Sequence, residues 1–144
     1  MIDNPYNKWS DINSSLPAVE IDVLAPPPSS GTRDAFVELV MHSVCKKKYE
    51  MDKKTYKANC SALREDGAVT EVGENDNLII EKLADNSSRF GIFGYSFLDQ
   101  NRDRVQGSIV DGVGPSMDTI ADGSYKVSRP VSYTHLTLPT MYTV

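Results

Sequence analysis

The chain has 144 residues, of which 40% are hydrophobic and 24% charged, and its 15 Lys and Arg against 20 Asp and Glu give a net charge of −5. This length suits about one ordinary domain with its own core, and the composition excludes an acidic disordered tail or a low-complexity linker. A pI near 4.9 argues against general binding of nucleic acid or anionic membranes, which requires a positive field.

The sequence contains no candidate for a membrane span or a signal peptide. Its apolar runs fall far short of the roughly 20 residues that a transmembrane helix needs. Residues 1–5 lack the basic start and the apolar stretch of an export signal. We therefore expect a chain that is either intracellular or separated from its export signal.

The first predicted strand covers residues 19–24, after a polar and turn-rich segment at residues 5–17. Apolar and acidic residues alternate in it, which is the period of a half-buried strand. Pro26, Pro27 and Pro28 end the strand, because proline cannot donate a hydrogen bond to a strand ladder.

A helix is predicted next, since Phe36, Val40 and Val44 recur at the spacing of one helical face. Its basic end at residues 46–48 complements the negative end of a helix dipole. Residues 49–71 are charged and mixed, and we expect a helix and a connection there.

The second half of the chain predicts shorter elements. A helix begins near residues 73–77, where Asn and Asp can cap it, and a buried strand covers residues 90–95, whose glycines indicate close backbone approach. A strand at residues 105–110, a short helix at residues 116–121 and a strand from Tyr125 follow. The alternation of strands and helices predicts an α/β architecture.

Few residues suggest catalysis or metal binding. The candidate metal ligands have no ligand-like spacing: His42, Cys45, Cys60 and His135. Ser30 lies between a predicted strand and helix, as a hydrolase nucleophile would, but Pro28 stands where that motif has glycine. A serine hydrolase using Ser30 is therefore the weaker alternative.

The residues at the start of the first long helix have the chemistry of an anion site. Ser30, Gly31 and Thr32 combine two hydroxyl groups with a glycine that lets an oxyanion approach the unpaired N–H groups of a first helical turn. Arg33 adds a cation that can contact phosphate in bidentate fashion. The alternative is that Ser30 or Thr32 only caps the helix.

Four segments resemble, in the same order, the phosphate ABC transporter substrate-binding proteins: residues 26–36, 71–78, 91–95 and 120–130. The resemblance covers residues 4–130 and implies an α/β, periplasmic binding protein-like fold of type II. It also implies a two-lobed protein that closes over phosphate and delivers it to a membrane permease. In such a protein Ser30, Gly31 and Thr32 would donate hydrogen bonds to the phosphate oxygens.

Two positions depart from the family pattern. Many relatives have an arginine four residues and an aspartate two residues before the motif's serine, where this chain has Pro26 and Pro28. That aspartate accepts the proton of hydrogen phosphate, and fully ionised sulfate has no such proton. Arg33 is the candidate replacement for the cation, and the sequence identifies no proton acceptor. Binding of another oxyanion, such as sulfate or molybdate, is therefore an alternative.

The resemblance also predicts how the chain is divided. Residues 1–19 form a crossover segment, residues 20–98 the second, substrate-binding lobe, residues 99–130 the return into part of the first lobe, and residues 131–144 a non-native tail. Two such lobes need about twice this length. We therefore expect a fragment, with Met1 as an internal or truncated start.

The tail prediction rests on residues 131–140, which resemble the translation of a sequencing-library adapter. On this interpretation His135 has no biological role, and residues after Pro130 do not complete the core. The alternative is a genuine terminal strand, since Tyr133 and Leu136 have fair β propensity.

The family resemblance implies an oxidising compartment, where Cys45 and Cys60 can close a disulfide. The alternative is two buried free thiols. We expect a periplasmic monomer without catalytic activity, cofactor or metal, whose partners are inorganic phosphate and an ABC-type permease and not nucleic acid. A surface adhesion or sensor module on the same fold is a further alternative.

Overall fold

The computed structural model describes residues 4–131 and 141–142, in which short helices surround a small parallel sheet. The helices are α1 (Trp9–Ile12), α2 (Gly31–Phe36), α3 (Ser43–Lys48), α4 (Lys53–Asn59), α5 (Asp76–Ala84), α6 (Tyr95–Gln100) and α7 (Met117–Ala121). The strands are β1 (Val23–Ala25), β2 (Val69–Glu71), β3 (Phe90–Gly91), β4 (Pro130–Val131) and β5 (Met141–Tyr142). None of the helices in these residues combines the length and apolar character needed to cross a bilayer.

The three-stranded sheet has the order β2-β1-β3, and both strand pairs are parallel. Val23 is paired with Val69 on one side and with Phe90 on the other. Parallel neighbours require crossover connections, which α2, α3 and α4 supply between β1 and β2, and α5 between β2 and β3. All three strands therefore end at one edge, which we call the carboxyl edge. The alternation confirms the predicted α/β class.

Several strand predictions were wrong in position or length. The strand expected at residues 19–24 forms at Val23–Ala25, because Glu20 instead makes an isolated bridge with Lys8. The one expected at residues 90–95 ends at Gly91, because Gly94 caps a helix that starts at Tyr95.

Two further predicted strands are absent from the described residues. Residues 105–110 contain only the isolated bridge of Val110 with Val113, and residues from Tyr125 form a bend before β4. Strand β2 was not predicted. The helix predicted to begin near residues 73–77 is confirmed as α5, and the one predicted at residues 116–121 is confirmed as α7.

One continuous helix runs through residues 31–48, but its middle turn, Val37–His42, is π-helical. A π turn contains an additional residue, which rotates the following turns. The predicted apolar face accordingly fails at its end, because Val44 is 46% exposed whereas Cys45 is 6% exposed.

The core consists of two clusters that Phe93 joins. One contains Leu24, Val72 and Ile79 between the sheet and α5. The other contains four buried residues of the second half of the chain: Tyr95, Leu98, Ile120 and Tyr125. Gly91 confirms the predicted close approach, since a Cβ there would lie 2.7 Å from the Leu83 Cδ1.

A disulfide joins Cys45 in α3 to Cys60, which directly follows α4. The two Cα atoms are 6.7 Å apart and the sequence separation is 15 residues. The bond ties the two helices into a hairpin that packs beside the sheet rather than within it. His135 and the rest of residues 132–140 lie outside the described residues.

Candidate anion-binding site

The predicted anion-binding residues lie at the carboxyl edge, directly after the central strand. β1 ends at Ala25, a proline loop follows, and the long helix begins at Gly31. Ligands of open α/β sheets bind outside the carboxyl ends of the strands. The loop after β1 is flanked by those after β2 and β3, because β1 is the middle strand.

Ser30, Gly31 and Thr32 form the first turn of the helix. Ser30 is the N-cap, and its Oγ accepts the Thr32 N–H at 3.2 Å. As the first helical residue, Gly31 has no intrahelical acceptor for its N–H. A Cβ added at Gly31 would meet no atom within 4 Å. The cap is therefore present, and the backbone beside it is open to a ligand.

Arg33 makes contacts that sequence reasoning missed. It is buried, and its Nη1 donates to the Pro26 carbonyl at 3.0 Å and to the Glu71 Oε1 at 3.1 Å. Glu38, which follows Arg33 in the same helix, pairs with Arg129 at 3.1 Å. Arg33 thus fastens the proline loop to the end of β2.

Two more carboxyl groups lie at this edge. Glu74, in the loop after β2, accepts the Ser29 hydroxyl at 2.6 Å. Asp76 is buried and accepts the N–H of Gly94, the N-cap of α6, at 3.0 Å. Burial raises the pKa of Asp76, and the Gly94 N–H partly opposes that shift. The sequence predicted a helix start in this segment, but the contacts of Glu74 with Ser29 and of Asp76 with Gly94 form only in the folded chain.

Within the part of the chain that the structure describes, no histidine is hydrogen-bonded to Ser30. The His42 Nε2 is 2.8 Å from the Ser61 Oγ, and its ring packs on Tyr56 with centroids 5.1 Å apart. Among the residues that the structure describes, no three His, Cys, Asp or Glu side chains form a group that could hold a metal ion. Ser30 is thus arranged as a helix cap.

A family model described as "PBP superfamily domain" matches residues 4–135. The chain belongs to the PBP superfamily. A crystal structure of a possible phosphate binding protein from Planctomyces limnophilus DSM 3776 is 24% identical, with a TM-score of 0.59 over 98% of this chain and 43% of that one. This likeness supports the PBP fold.

Curated relatives of this PBP chain include two proteins named phosphate-binding protein PstS. The Staphylococcus haemolyticus protein is 35% identical over 85% of this chain and 34% of its own length. The protein from Staphylococcus saprophyticus is 34% identical over 85% of this chain and 33% of its own length. The chain therefore spans about a third of the length of these relatives.

Proposed function

We propose that the chain binds inorganic phosphate at Ser30, Gly31 and Thr32, as part of an uptake protein that passes the ion to an ABC-type permease. The observation that carries the proposal is the open first turn of the long helix at the carboxyl edge, with free space above Gly31. The relatives named phosphate-binding protein support phosphate as the anion.

The turn suits an oxyanion for electrostatic reasons. The first N–H groups of a helix are unpaired and carry partial positive charge, so a phosphate oxygen gains both hydrogen bonds and favourable field there. Thr32 contributes a hydroxyl that the Ser30 cap bond leaves unused. Arg33 shapes the loop through Pro26 and Glu71 and adds positive charge behind it.

Glu74 supplies the proton acceptor that the sequence did not identify. Its carboxylate accepts a hydrogen bond from the hydroxyl of Ser29, which directly precedes Ser30. A carboxylate there accepts the proton of hydrogen phosphate and repels an anion that has no proton to donate. This favours phosphate over sulfate.

The action is reversible binding without a chemical step, by a monomer outside the cytoplasm. The disulfide between Cys45 and Cys60 suits an oxidising compartment such as the periplasm. The chain then forms the second lobe of its protein with residues 20–98 and enters the first with residues 99–130. A single lobe leaves the anion facing water, so the chain alone binds weakly.

The test is a titration of the isotopically labelled chain with phosphate, followed through the amide NMR signals of Ser30, Gly31 and Thr32. Gly31→Ala places a methyl group only where the ligand would lie, and Gly114→Ala is the control, since a Cβ there also meets nothing within 4 Å. One lost charge-assisted hydrogen bond, worth about 1.5–3 kcal/mol, weakens binding roughly tenfold or more.

The control should bind like the unaltered chain, and sulfate should bind more weakly than phosphate. If Gly31→Ala and Gly114→Ala bind phosphate with equal affinity, the turn at residues 30–32 only caps the helix and does not bind the anion. Equal affinity for the two anions would instead favour a binding protein of broader oxyanion specificity. If Glu74 accepts the proton of hydrogen phosphate, Glu74→Gln should reduce the difference between the affinities for phosphate and for sulfate.

A further inference from the structure

A basic cleft lies between the long helix and α4. Its volume is about 920 Å³, and it extends from Pro28 and Asp34 along the helix to Ser61. Four lysines from the two helices line it: Lys46, Lys47, Lys53 and Lys57. We call it the lysine cleft.

The lysine cleft concentrates positive charge in an acidic protein. Six of the 15 Lys and Arg residues fall within residues 46–57, with only Glu50 and Asp52 among them as acids, whereas the whole chain has a charge of −5. Asp52 does not reach into the cleft to neutralise it, because its carboxylate accepts the Thr55 N–H at the start of α4.

The other charged groups that line the cleft leave its lysines uncompensated. Arg129 pairs with Glu38 at 3.1 Å, and Arg33 with Glu71 at 3.1 Å. Asp34 stands at the end nearest the proline loop. Among the described residues, none of the four lysines of the cleft forms an ion pair.

The walls of the cleft are held in place by covalent and polar contacts. The disulfide ties α3 to the end of α4, and the His42 ring contacts both Ser61 and Tyr56 across the gap. The lysines therefore project from two helices that the disulfide holds together, and a bound polyanion would offset their like charges.

We propose that the lysine cleft binds a condensed phosphate chain, for which tripolyphosphate is the probe. The cleft is far larger than a single orthophosphate needs, and its cations come from both walls, which suits an anion with several charged groups in a row. Lysine acts as a point charge on a flexible stem, so it fits a linear polyphosphate without fixed bidentate geometry. A protein partner would instead need a broad surface, of about 800 Å² on each side.

The experiment is calorimetric titration with tripolyphosphate at two salt concentrations. The test variant is Lys47→Gln with Lys53→Gln, which takes one lysine from each wall of the cleft. The matched control is Lys48→Gln with Lys54→Gln, which removes the same charge from the same two helices but from residues that do not line the cleft. We expect at least about tenfold weaker binding and a shallower salt dependence in the test variant, and less than about a twofold change in the control.

Several outcomes would overturn the proposal. The first is that the unaltered chain does not bind tripolyphosphate, and the second is that both lysine variants lose affinity for it equally. The third is that hexaglutamate binds as tightly as tripolyphosphate. The last would assign the cleft to acidic peptides. Loss of tripolyphosphate binding in Gly31→Ala would place the ligand in the loop instead. Since orthophosphate is titrated separately, the proposed function can fail without affecting this result.

Discussion

The carboxyl group of Asp76, the first residue of α5, accepts the Gly94 N–H across the carboxyl edge at 3.0 Å. It therefore connects the loop after β2 to the start of α6. Burial of this carboxyl group disfavours its negative charge and raises the pKa of Asp76. The residue thus joins two loops at an electrostatic cost.

Asp76→Asn tests this cost. Because the folded-state pKa lies above the unfolded value, the contribution of Asp76 to stability is fully present below its unfolded pKa and is lost as the pH rises through its folded pKa. Asparagine can still accept the Gly94 N–H and carries no charge. The melting temperature of the variant, relative to the unaltered chain, should therefore increase from about pH 3 to pH 7. A relative decrease over this range would mean that the carboxylate stabilises the fold.

Single residues also show the limit of prediction at the site. The helix start at Ser30, Gly31 and Thr32 was predicted from the sequence because a hydroxyl-glycine-hydroxyl turn before a helix is a local signal. The partner of Arg33 was not predicted, because Glu71 lies 38 residues away in the sequence. The two residues meet only because β1 pairs with β2.

At the scale of elements, the helices were predicted from local signals, whereas strand β2 depends on contacts between distant residues. Helices α5 and α7 were predicted because each has its cap within its own sequence segment. The Asn75 side chain accepts the Asn77 N–H at the start of α5, and the Ser116 side chain accepts the Thr119 N–H at the start of α7. Strand β2 has no such local signal. Its three residues are mostly exposed and become a strand only by pairing with β1.

The helical hairpin gives the prediction at this scale. Cys45→Ala with Cys60→Ala should lower the free energy of unfolding by roughly 3 kcal/mol, as the loss of a crosslink over a loop of this length does in the chain-entropy model. Chemical denaturation of the oxidised chain and the variant would measure the difference. Thiol titration of the unfolded, unreduced chain should find no free thiol, and two free thiols would contradict the crosslink.

At the scale of the whole molecule, the described C-terminal residues contribute one antiparallel pair, β4 with β5, of two residues each. Among the residues whose burial the structure describes, the last one in the core is Tyr125. We propose that residues 131–140, which resemble a translated sequencing adapter, were not selected to pack.

Deletion of residues 131–144 should therefore change the melting temperature by less than about 2 °C, which corresponds to less than about 1 kcal/mol in a domain of this size. Differential scanning calorimetry of the two chains measures the shift. Deletion from residue 125 onward is the comparison, because it also removes the buried Tyr125 and should destabilise the fold strongly. A large shift in the shorter deletion would identify the tail as a native strand.

The strand order has a consequence for how the chain folds as it is synthesised. The central strand leaves the ribosome first, and both of its edges stay unpaired until residues 69–71 and then residues 90–91 have followed. The helical hairpin of residues 31–60 makes mainly local contacts and can form during that interval. The nascent β1 is three residues long and is followed by three prolines, so it offers neighbouring chains little edge on which to aggregate.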